Sequence, residues 1–327
     1  MSRGKVTVLA YHRIDTPGNP ATRDLSPALI DAYPAEFEAQ MRWLAGKFNV
    51  IPGWQLVESL RDHKPLPPRA LMITFDDGYT CFMETAVPIL RRYGLPATLF
   101  VATDYTSNPH KPFWWDTLHR VLAHTQRVEI EVPGAGRIPL STGEQRAAAY
   151  ETLVGVVERA SAEDTERLVK TMAHACGVEP TSEKHRLDWD EVRALSEAGD
   201  ISIGPHTRRH PILSRTTSQR MADEIEGSWA DLNSRLARPL PLFAYPNGQA
   251  HAISRANVGM VREAGMPGAF TMMPGHNFPG RTNPYMMYRI GATPGLSLNR
   301  FKLRISPLGS LLRRTKSLLR MQKTTSP

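Results

Sequence analysis

Short apolar runs recur along this chain, and stretches with helical spacing of apolar residues separate them. Strands that alternate with helices pair in parallel, because a crossover between parallel strands needs room for a helix. The sequence therefore predicts an α/β fold. Several such units favour a (β/α) barrel, which takes about 250 residues, over an open sheet, although periodicity alone does not separate the two. The apolar runs cover residues 6–11, 71–75, 97–101, 201–203, 242–245 and 269–272.

The stretch 104–186 breaks this alternation. It opens near the aromatic cluster FWWD (113–116) and continues into charged segments with helical spacing. We interpret the stretch as an inserted helical subdomain. An aromatic cluster that opens a helix is commonly a hydrophobic anchor, and a platform for sugar stacking is the alternative. The predicted domains are a discontinuous barrel (1–103 and 187–299), the helical insertion (104–186) and a basic C-terminal segment (300–327).

The net charge of +8 is not spread over the chain. The last 28 residues contain eight basic side chains and no acid, so the first 299 residues hold 32 basic and 32 acidic groups. A body without excess positive charge argues against nucleic acid as a partner. The leucines of 300–327 alternate with its basic residues as in an amphipathic helix on an anionic membrane surface. Packing against the barrel and a frayed tail are the alternatives.

Three features favour a cytoplasmic protein, placed peripherally at the inner face of the membrane if segment 300–327 attaches there. The apolar run near the N-terminus is shorter than a secretory signal requires. Stretches of 18 or more apolar residues, as in a membrane-spanning helix, do not occur. Cys81 and Cys176 are unpatterned, which suits a reducing compartment.

Two adjacent carboxylates follow the apolar run 71–75. Asp76 and Asp77 precede Gly78 at the predicted carboxyl end of a buried strand, which is where α/β barrels place their chemistry. Asp-Asp-Gly is also good turn chemistry, so a purely structural turn is the alternative. The motif alone leaves both interpretations open.

A pair of histidines follows the run 201–203. His206 and His210 are four residues apart between Pro205 and Pro211, so both imidazoles can reach one metal ion. Two histidines and one carboxylate are the ligand set of a metal that keeps open positions for water and substrate. The two weak motifs together predict one site.

These residues resemble the motifs of the polysaccharide deacetylases, the NodB-like enzymes of carbohydrate esterase family four. TFDDG (74–78) resembles the first motif, HTRRH (206–210) the second and FAYPNG (243–248) the third. The resemblance covers roughly residues 5–103 and 187–295. It implies a distorted barrel of the polysaccharide deacetylase type and metal-dependent removal of acetyl groups from sugars.

The resemblance also implies roles for individual residues. Asp76 would be the general base, and a backbone N–H in the turn of Tyr245 and Asn247 would bind the oxyanion. The cofactor would be one divalent metal ion, with Zn²⁺ expected and Co²⁺, Ni²⁺ or Fe²⁺ as alternatives. The expected metal ligands are Asp77, His206 and His210.

The chain departs from the family pattern at two positions. Ala244 stands where the family has an arginine that orients the base, and Arg289 is the candidate substitute, with a surface arginine as the alternative. The histidine that serves as general acid has no clear counterpart. His276 is the nearest candidate, and His12, at the end of the first strand, is a second residue expected to contact the substrate or site.

The sequence thus predicts a hydrolase that removes N-acetyl groups from a sugar or glycan, an intermediate of bacterial polysaccharide or cell-surface glycan synthesis. A lipid-linked glycan is one candidate substrate. Two other classes stay open: a non-catalytic glycan-binding module that retains the metal site, and a peripheral membrane protein whose important part is segment 300–327.

Overall fold

A computed structural model describes residues 4–179, 181, 183–306 and 309. The strands are β1 (Val6–Tyr11), β2 (Arg13–Ile14), β3 (Ile30–Ala32), β4 (Asn49–Val50), β5 (Ala70–Phe75), β6 (Ala97–Val101), β7 (Glu129–Val132), β8 (Gly136–Pro139), β9 (Ile201–Pro205), β10 (Leu242–Ala244), β11 (Gly268–Phe270) and β12 (Ile290–Gly291). The α-helices are α1 (Pro34–Ala45), α2 (Gly53–Arg61), α3 (Val87–Arg92), α4 (Thr103–Ser107), α5 (Trp114–His124), α6 (Gly143–Arg159), α7 (Ala162–Ala175), α8 (Trp189–Glu197), α9 (Ser218–Arg235), α10 (Arg255–Glu263) and α11 (Leu298–Ile305). A π-helical turn, Phe82–Ala86, precedes α3.

The strands form an incomplete ring, which confirms the predicted distorted barrel. The main sheet is parallel in the order β12-β1-β5-β6-β9, with β4 beside the start of β5. A parallel pair, β10 and β11, continues it. Isolated hydrogen bonds replace ladders at the two joints. Leu240 N–H donates to the Ile203 carbonyl at 2.7 Å, and Met287 joins the segment of β11 by accepting from Thr271 N–H at 2.8 Å and donating to the Ala269 carbonyl at 2.9 Å.

Burial explains why these segments are strands. Every residue of β1, β5 and β6 is buried, so these strands face the barrel interior on one side and the helices on the other. Apolar side chains of α1, α8 and α9 cover the outside of the barrel. The carboxyl ends of the strands therefore meet at one face, and the loops at that face carry the candidate site.

The insertion has its own small core. Buried side chains from α5, α6 and α7 pack together, as the helical prediction requires. The insertion also contains an antiparallel hairpin of β7 and β8, which was not predicted. Its alternation of exposed and buried residues spans only four residues per strand, which is too short to stand out from a turn.

Only the beginning of segment 300–327 lies within the described residues. Helix α11 buries Phe301 and Ile305 against the barrel, and the Phe301 ring lies 6.2 Å from that of Trp43 on α1. The leucines and arginines that motivated the amphipathic prediction, from 308 onward, lie outside the described residues. Within the described part of the chain, each helix is too short or too polar to span a bilayer.

Candidate functional site

The paired carboxylates occupy the loop that follows β5. The backbone N–H of Asp76 donates to the Tyr11 carbonyl at 2.9 Å, which extends the β1–β5 pairing to the end of both strands. Asp77 then has a φ of 74° and Gly78 a φ of 71°. Both carboxylates are buried, at 2% and 3% exposure. A non-glycine residue with positive φ costs about 1–3 kcal/mol, and such strain concentrates at functional loops.

His206 follows β9 and is held by both neighbouring strands. Its N–H donates to the Val101 carbonyl at 3.0 Å, and its Nδ1 lies 2.7 Å from the carbonyl oxygen of Ala244. A carbonyl oxygen only accepts, so Nδ1 carries the hydrogen. The lone pair of the neutral ring is therefore on Nε2, the atom that faces Asp77.

His210 is fixed by its own loop and by the insertion. Its φ is 56°, and its N–H donates to Thr207 Oγ1 at 3.0 Å. The rings of Phe113 and Trp115 contact it edge-on, with centroids at 5.5 and 4.8 Å. Burial lowers the pKa of His210 to about 4 despite the attraction of Asp77. The ring is therefore neutral at pH 7, as a metal ligand must be.

The three side chains converge on one point. Asp77 Oδ1 lies 3.5 Å from His206 Nε2 and 3.3 Å from His210 Nε2, and the three candidate ligand atoms lie within 4.8 Å of one another. Asp77 Oδ1 is buried without a hydrogen-bond partner. Burial opposes ionisation of Asp77, yet the surrounding histidines, among them the charged His12, outweigh burial and hold the pKa of Asp77 below its usual range.

This arrangement fits a divalent cation. An ionised, unpartnered carboxylate oxygen facing a nitrogen lone pair is unfavourable unless a cation lies between them. Two imidazole nitrogens and one carboxylate oxygen match a catalytic zinc site with an open position. The geometry agrees with the predicted ligand set and does not distinguish Zn²⁺ from Co²⁺, Ni²⁺ or Fe²⁺.

Arg289 lies against Asp76 and not on the surface. Its exposure is 0%, and its two terminal nitrogens bind the two carboxylate oxygens of Asp76 at 2.7 and 2.6 Å. Its Nε donates to the Thr271 carbonyl at 3.0 Å. Burial raises the pKa of Asp76, but Arg289 outweighs burial and lowers it. Asp76 is therefore an ionised carboxylate held in one orientation.

The turn after β10 narrows the expected oxyanion donor to one residue. The N–H of Tyr245 donates to the Phe270 carbonyl at 3.0 Å, and Pro246 has no N–H. Asn247, with a φ of 61°, is left as the backbone donor of that turn. A Cβ on Gly248 would lie 2.6 Å from the Met272 nitrogen, so only glycine lets the two segments approach.

His12 belongs to the site. It lines the cavity that contains Asp76 and Asp77, and its Nδ1 lies 3.0 Å from Asp31 Oδ2. Burial lowers the pKa of His12, but Asp31 outweighs burial and raises it to about 9. His12 is therefore a cation at pH 7. Asp31 was missed because nothing in its local sequence marks it.

His276 is in the wrong place for the general acid. After Phe270 the chain turns back, and Asn277 pairs antiparallel with Val6, at the amino end of β1. The Nδ1 of His276 lies 3.1 Å from Thr7 Oγ1. Since the carboxylates follow the carboxyl ends of the strands, His276 is at the opposite end of the barrel and the assignment is wrong.

The insertion contributes to the site. Trp114 comes from the aromatic cluster for which a sugar-stacking platform is the alternative interpretation, whereas the contribution of α6 was not predicted. Trp114, Tyr150, Glu151 and Glu158 line the same cavity as the carboxylates, which has a volume of about 290 Å³. Glu224 on α9 is also unforeseen: it is fully buried and accepts the N–H groups of Arg208 and Arg209 at 3.0 and 2.7 Å, which fixes the histidine loop.

Comparisons with known proteins agree with this site. Residues 63–268 match the polysaccharide deacetylase family. The chain is 33% identical over 108 residues to YxkH of Bacillus subtilis (strain 168), covering 32% of this chain and 35% of that protein. It is 34% identical over 71 residues to the poly-β-1,6-N-acetyl-D-glucosamine N-deacetylase of Escherichia coli (strain K12), covering 21% of this chain and 11% of that enzyme.

Two solved structures share the fold over nearly their whole length. The Streptococcus pyogenes deacetylase PplD, solved with acetate, superposes with a TM-score of 0.62 at 17% identity, covering 93% of this chain and 99% of that one. IcaB from Ammonifex degensii gives a TM-score of 0.59 at 18% identity, covering 92% and 97%. The family match covers more than half of the chain. The protein belongs to the polysaccharide deacetylase family.

Proposed function

We propose that this protein hydrolyses the N-acetyl group of a sugar or glycan, with a divalent metal as cofactor. The observation that carries the proposal is the juxtaposition, in one cavity, of Asp77, His206 and His210 with a second carboxylate, Asp76, that is paired to a buried arginine. The family match and the likeness to deacetylases support it.

The roles follow from the contacts of each group. A divalent ion held by the three ligands would supply Lewis acidity to the acetamide carbonyl and lower the pKa of water. Asp76 accepts the proton of the attacking water, and Arg289 keeps that carboxylate ionised and oriented. The Asn247 N–H is the donor that we assign to the developing charge on the carbonyl oxygen.

His12 replaces His276 as the proposed general acid. Asp31 engages Nδ1, so Nε2 is the atom that can deliver a proton to the leaving nitrogen. The bond from the water oxygen to the carbonyl carbon forms, the carbon–nitrogen bond breaks, and the products are acetate and the free amine. A histidine with a pKa of about 9 stays protonated between turnovers at neutral pH.

Acetate release tests this proposal. The purified protein, with its metal content measured, is assayed on lipid-linked, nucleotide-linked and polymeric N-acetyl sugars. Asp76→Asn is expected to lower kcat about 10²–10⁴-fold with metal retained, because the proton acceptor is lost while Asp77, His206 and His210 are unchanged. Asp62→Asn, an exposed acid away from the cavity, is the matched control. Release from none of these sugars by the parent would favour the glycan-binding module.

The cofactor identity and the location of the protein are separate proposals. We propose zinc, to be tested by elemental analysis and by reactivation of the metal-free protein with Zn²⁺, Co²⁺, Ni²⁺ and Fe²⁺. We also propose a cytoplasmic location with segment 300–327 on an anionic membrane and a polysaccharide intermediate, including a lipid-linked one, as substrate. Flotation with anionic vesicles, before and after truncation behind Ser306, tests the attachment, because this truncation keeps the buried Phe301 and Ile305 of α11. Equal flotation contradicts the attachment.

A further inference from the structure

Helix α6 of the insertion crosses the mouth of the barrel above the candidate site. Tyr150, Val154 and Glu158 are four residues apart, so they share one helical face, and all three line the cavity. The Tyr150 hydroxyl lies 2.8 Å from Ser26 Oγ, and Glu158 accepts from Asn247 Nδ2 at 3.2 Å. These contacts are about 12 Å apart along the helix at 1.5 Å per residue.

The two contacts lie on opposite sides of the barrel. Ser26 lies in the segment between β2 and β3, which follows β1, whereas Asn247 follows β10. Around the ring, β1 and β10 are separated by β5, β6 and β9 on one side and by β11 and β12 on the other. Helix α6 is therefore fixed at two points across the opening. The substrate must approach beneath or beside it.

A buried polar network anchors the insertion beside the Ser26 contact. Asp116, at 1% exposure, accepts from Tyr79 at 3.0 Å, from Arg186 at 2.6 Å and from the backbone N–H of Ser26 at 2.9 Å. The Trp115 indole donates to the same tyrosine at 2.8 Å. These buried hydrogen bonds resist displacement of α5, and α6 packs against α5 in the core of the insertion, so the α6 face is a fixed wall of the cavity.

The size and chemistry of the cavity limit what can occupy it. About 290 Å³ is at the small end of ligand sites, which run from about 300 to 1,000 Å³. The wall from the insertion is aromatic, with Trp114 and Tyr150, and acidic, with Glu151 and Glu158. Among the described residues that line this cavity there is neither a lysine nor an arginine. The positive groups of the cavity, His12 and the proposed metal ion, belong to the barrel side, so a phosphate next to the insertion wall would face the like charges of Glu151 and Glu158.

Building on the proposed function, we propose that the α6 wall restricts the substrate to a free or chain-terminal N-acetyl sugar that carries no phosphate on the reacting ring. A single ring fits between the aromatic wall and the carboxylates, whereas an internal unit of a long glycan needs two open exits past α6. The carboxylates of Glu151 and Glu158 disfavour nucleotide-linked sugars and sugar phosphates.

Positional mapping tests the restriction to a chain end. The parent protein is incubated with an N-acetylglucosamine tetramer, and the free amine is located by tandem mass spectrometry. We expect the amine on one terminal sugar. Equal deacetylation of internal sugars overturns the inference but leaves the proposed function standing, because acetate is still released. Acetate release from none of the probes contradicts the proposed function itself.

A second arm tests the charge argument. We expect kcat/KM for the methyl glycoside of N-acetylglucosamine to exceed that for the uridine-diphosphate-linked sugar at least about tenfold. The double variant Glu151→Gln, Glu158→Gln is expected to lower that ratio towards one. Glu144→Gln, an exposed acid on α6 outside the cavity, should leave it unchanged. A ratio near one in the parent overturns the charge selection.

Opening the wall is the third arm. Tyr150→Ala removes the ring and its contact with Ser26, and we expect a larger share of internal deacetylation on the tetramer. Ser26→Ala removes only the hydrogen bond from the barrel side, so it keeps the test valid if the first variant folds poorly. An unchanged positional pattern in both variants, with α6 still folded by circular dichroism, contradicts the inference.

Discussion

Arg289 and Asp76 form a buried pair whose energetic role can be measured directly. Arg289→Met keeps most of the side-chain volume but removes the guanidinium that binds both carboxylate oxygens, at 2.7 and 2.6 Å. Because the two residues are 0% and 2% exposed, the remaining carboxylate loses its hydrogen-bond partner and has little contact with water. Breaking a buried pair in this way costs about 3–5 kcal/mol, so we expect the free energy of unfolding in urea to fall by that amount at pH 7.

The double variant separates charge from packing. Asp76→Asn with Arg289→Met leaves no buried charge, so it should be more stable than Arg289→Met alone, by about 1–3 kcal/mol. All proteins are measured in chelator, so that metal binding does not contribute. Equal destabilisation of the single and double variants would refute the reasoning, because it would mean that Arg289 stabilises only by packing.

The same pair predicts a pH dependence with a definite sign. The pKa of Asp76 is lowered in the folded protein, so the contribution of the pair is fully present above the unfolded pKa of about 3.9. It is lost as pH falls through the lower, folded value. The stability difference between the parent and Arg289→Met should therefore shrink on acidification, and in the variant the acid limb of kcat/KM should move to higher pH.

Three further predictions address other parts of the site. Asp77→Ala is expected to lose bound metal by elemental analysis as well as acetate release, and metal retention would contradict its role as ligand. Asp31→Asn removes the charge that raises the pKa of His12 to about 9, so the lowering of this pKa by burial should dominate. The alkaline limb of kcat/KM should then move to lower pH. If this limb does not move, His12 is not the general acid. Gly248→Ala places a Cβ 2.6 Å from a backbone nitrogen at a φ of 65° and should destabilise by about 1–3 kcal/mol in urea. Gly94→Ala is the control for backbone strain alone, because Gly94 has a φ of 62° and no atom outside the neighbouring residues lies within 4 Å of the Cβ that alanine would add. An equal loss of stability in the two variants would show that the contact with the Met272 nitrogen contributes nothing.

The sequence was informative wherever the site is built from consecutive residues. The carboxylates end β5 and the histidines follow β9, and parallel strands bring such ends to one face. The spacing of the apolar residues therefore predicted the fold class. The polar clusters that follow two of the apolar runs predicted that Asp76, Asp77, His206 and His210 are neighbours.

The sequence was uninformative wherever a contact joins distant segments. Asp31 meets His12 only because β3 pairs with β2, and Glu224 meets the histidine loop only through the packing of α9. The prediction of His276 as the general acid was wrong for a related reason. Its position after a strand suggested the barrel mouth, but the direction of the chain beyond Phe270 depends on pairing with β1, which no local pattern reveals.

This chain has Ala244 where the family has an arginine, and the site shows why a missing motif residue does not imply a missing function. Ala244 is fully buried, and what it supplies to the site is its carbonyl, which fixes the His206 tautomer and needs no particular side chain. The guanidinium instead comes from position 289, just before β12. In the sheet, β12 neighbours β1 and β1 neighbours β5, so an arginine there is two strands from Asp76 and within reach of its carboxylate. The rings of Phe100 and Phe270 lie 5.9 and 6.0 Å from its guanidinium carbon and hold it in the barrel interior. The requirement of the site is a buried guanidinium at Asp76, and the fold can meet that requirement from more than one strand.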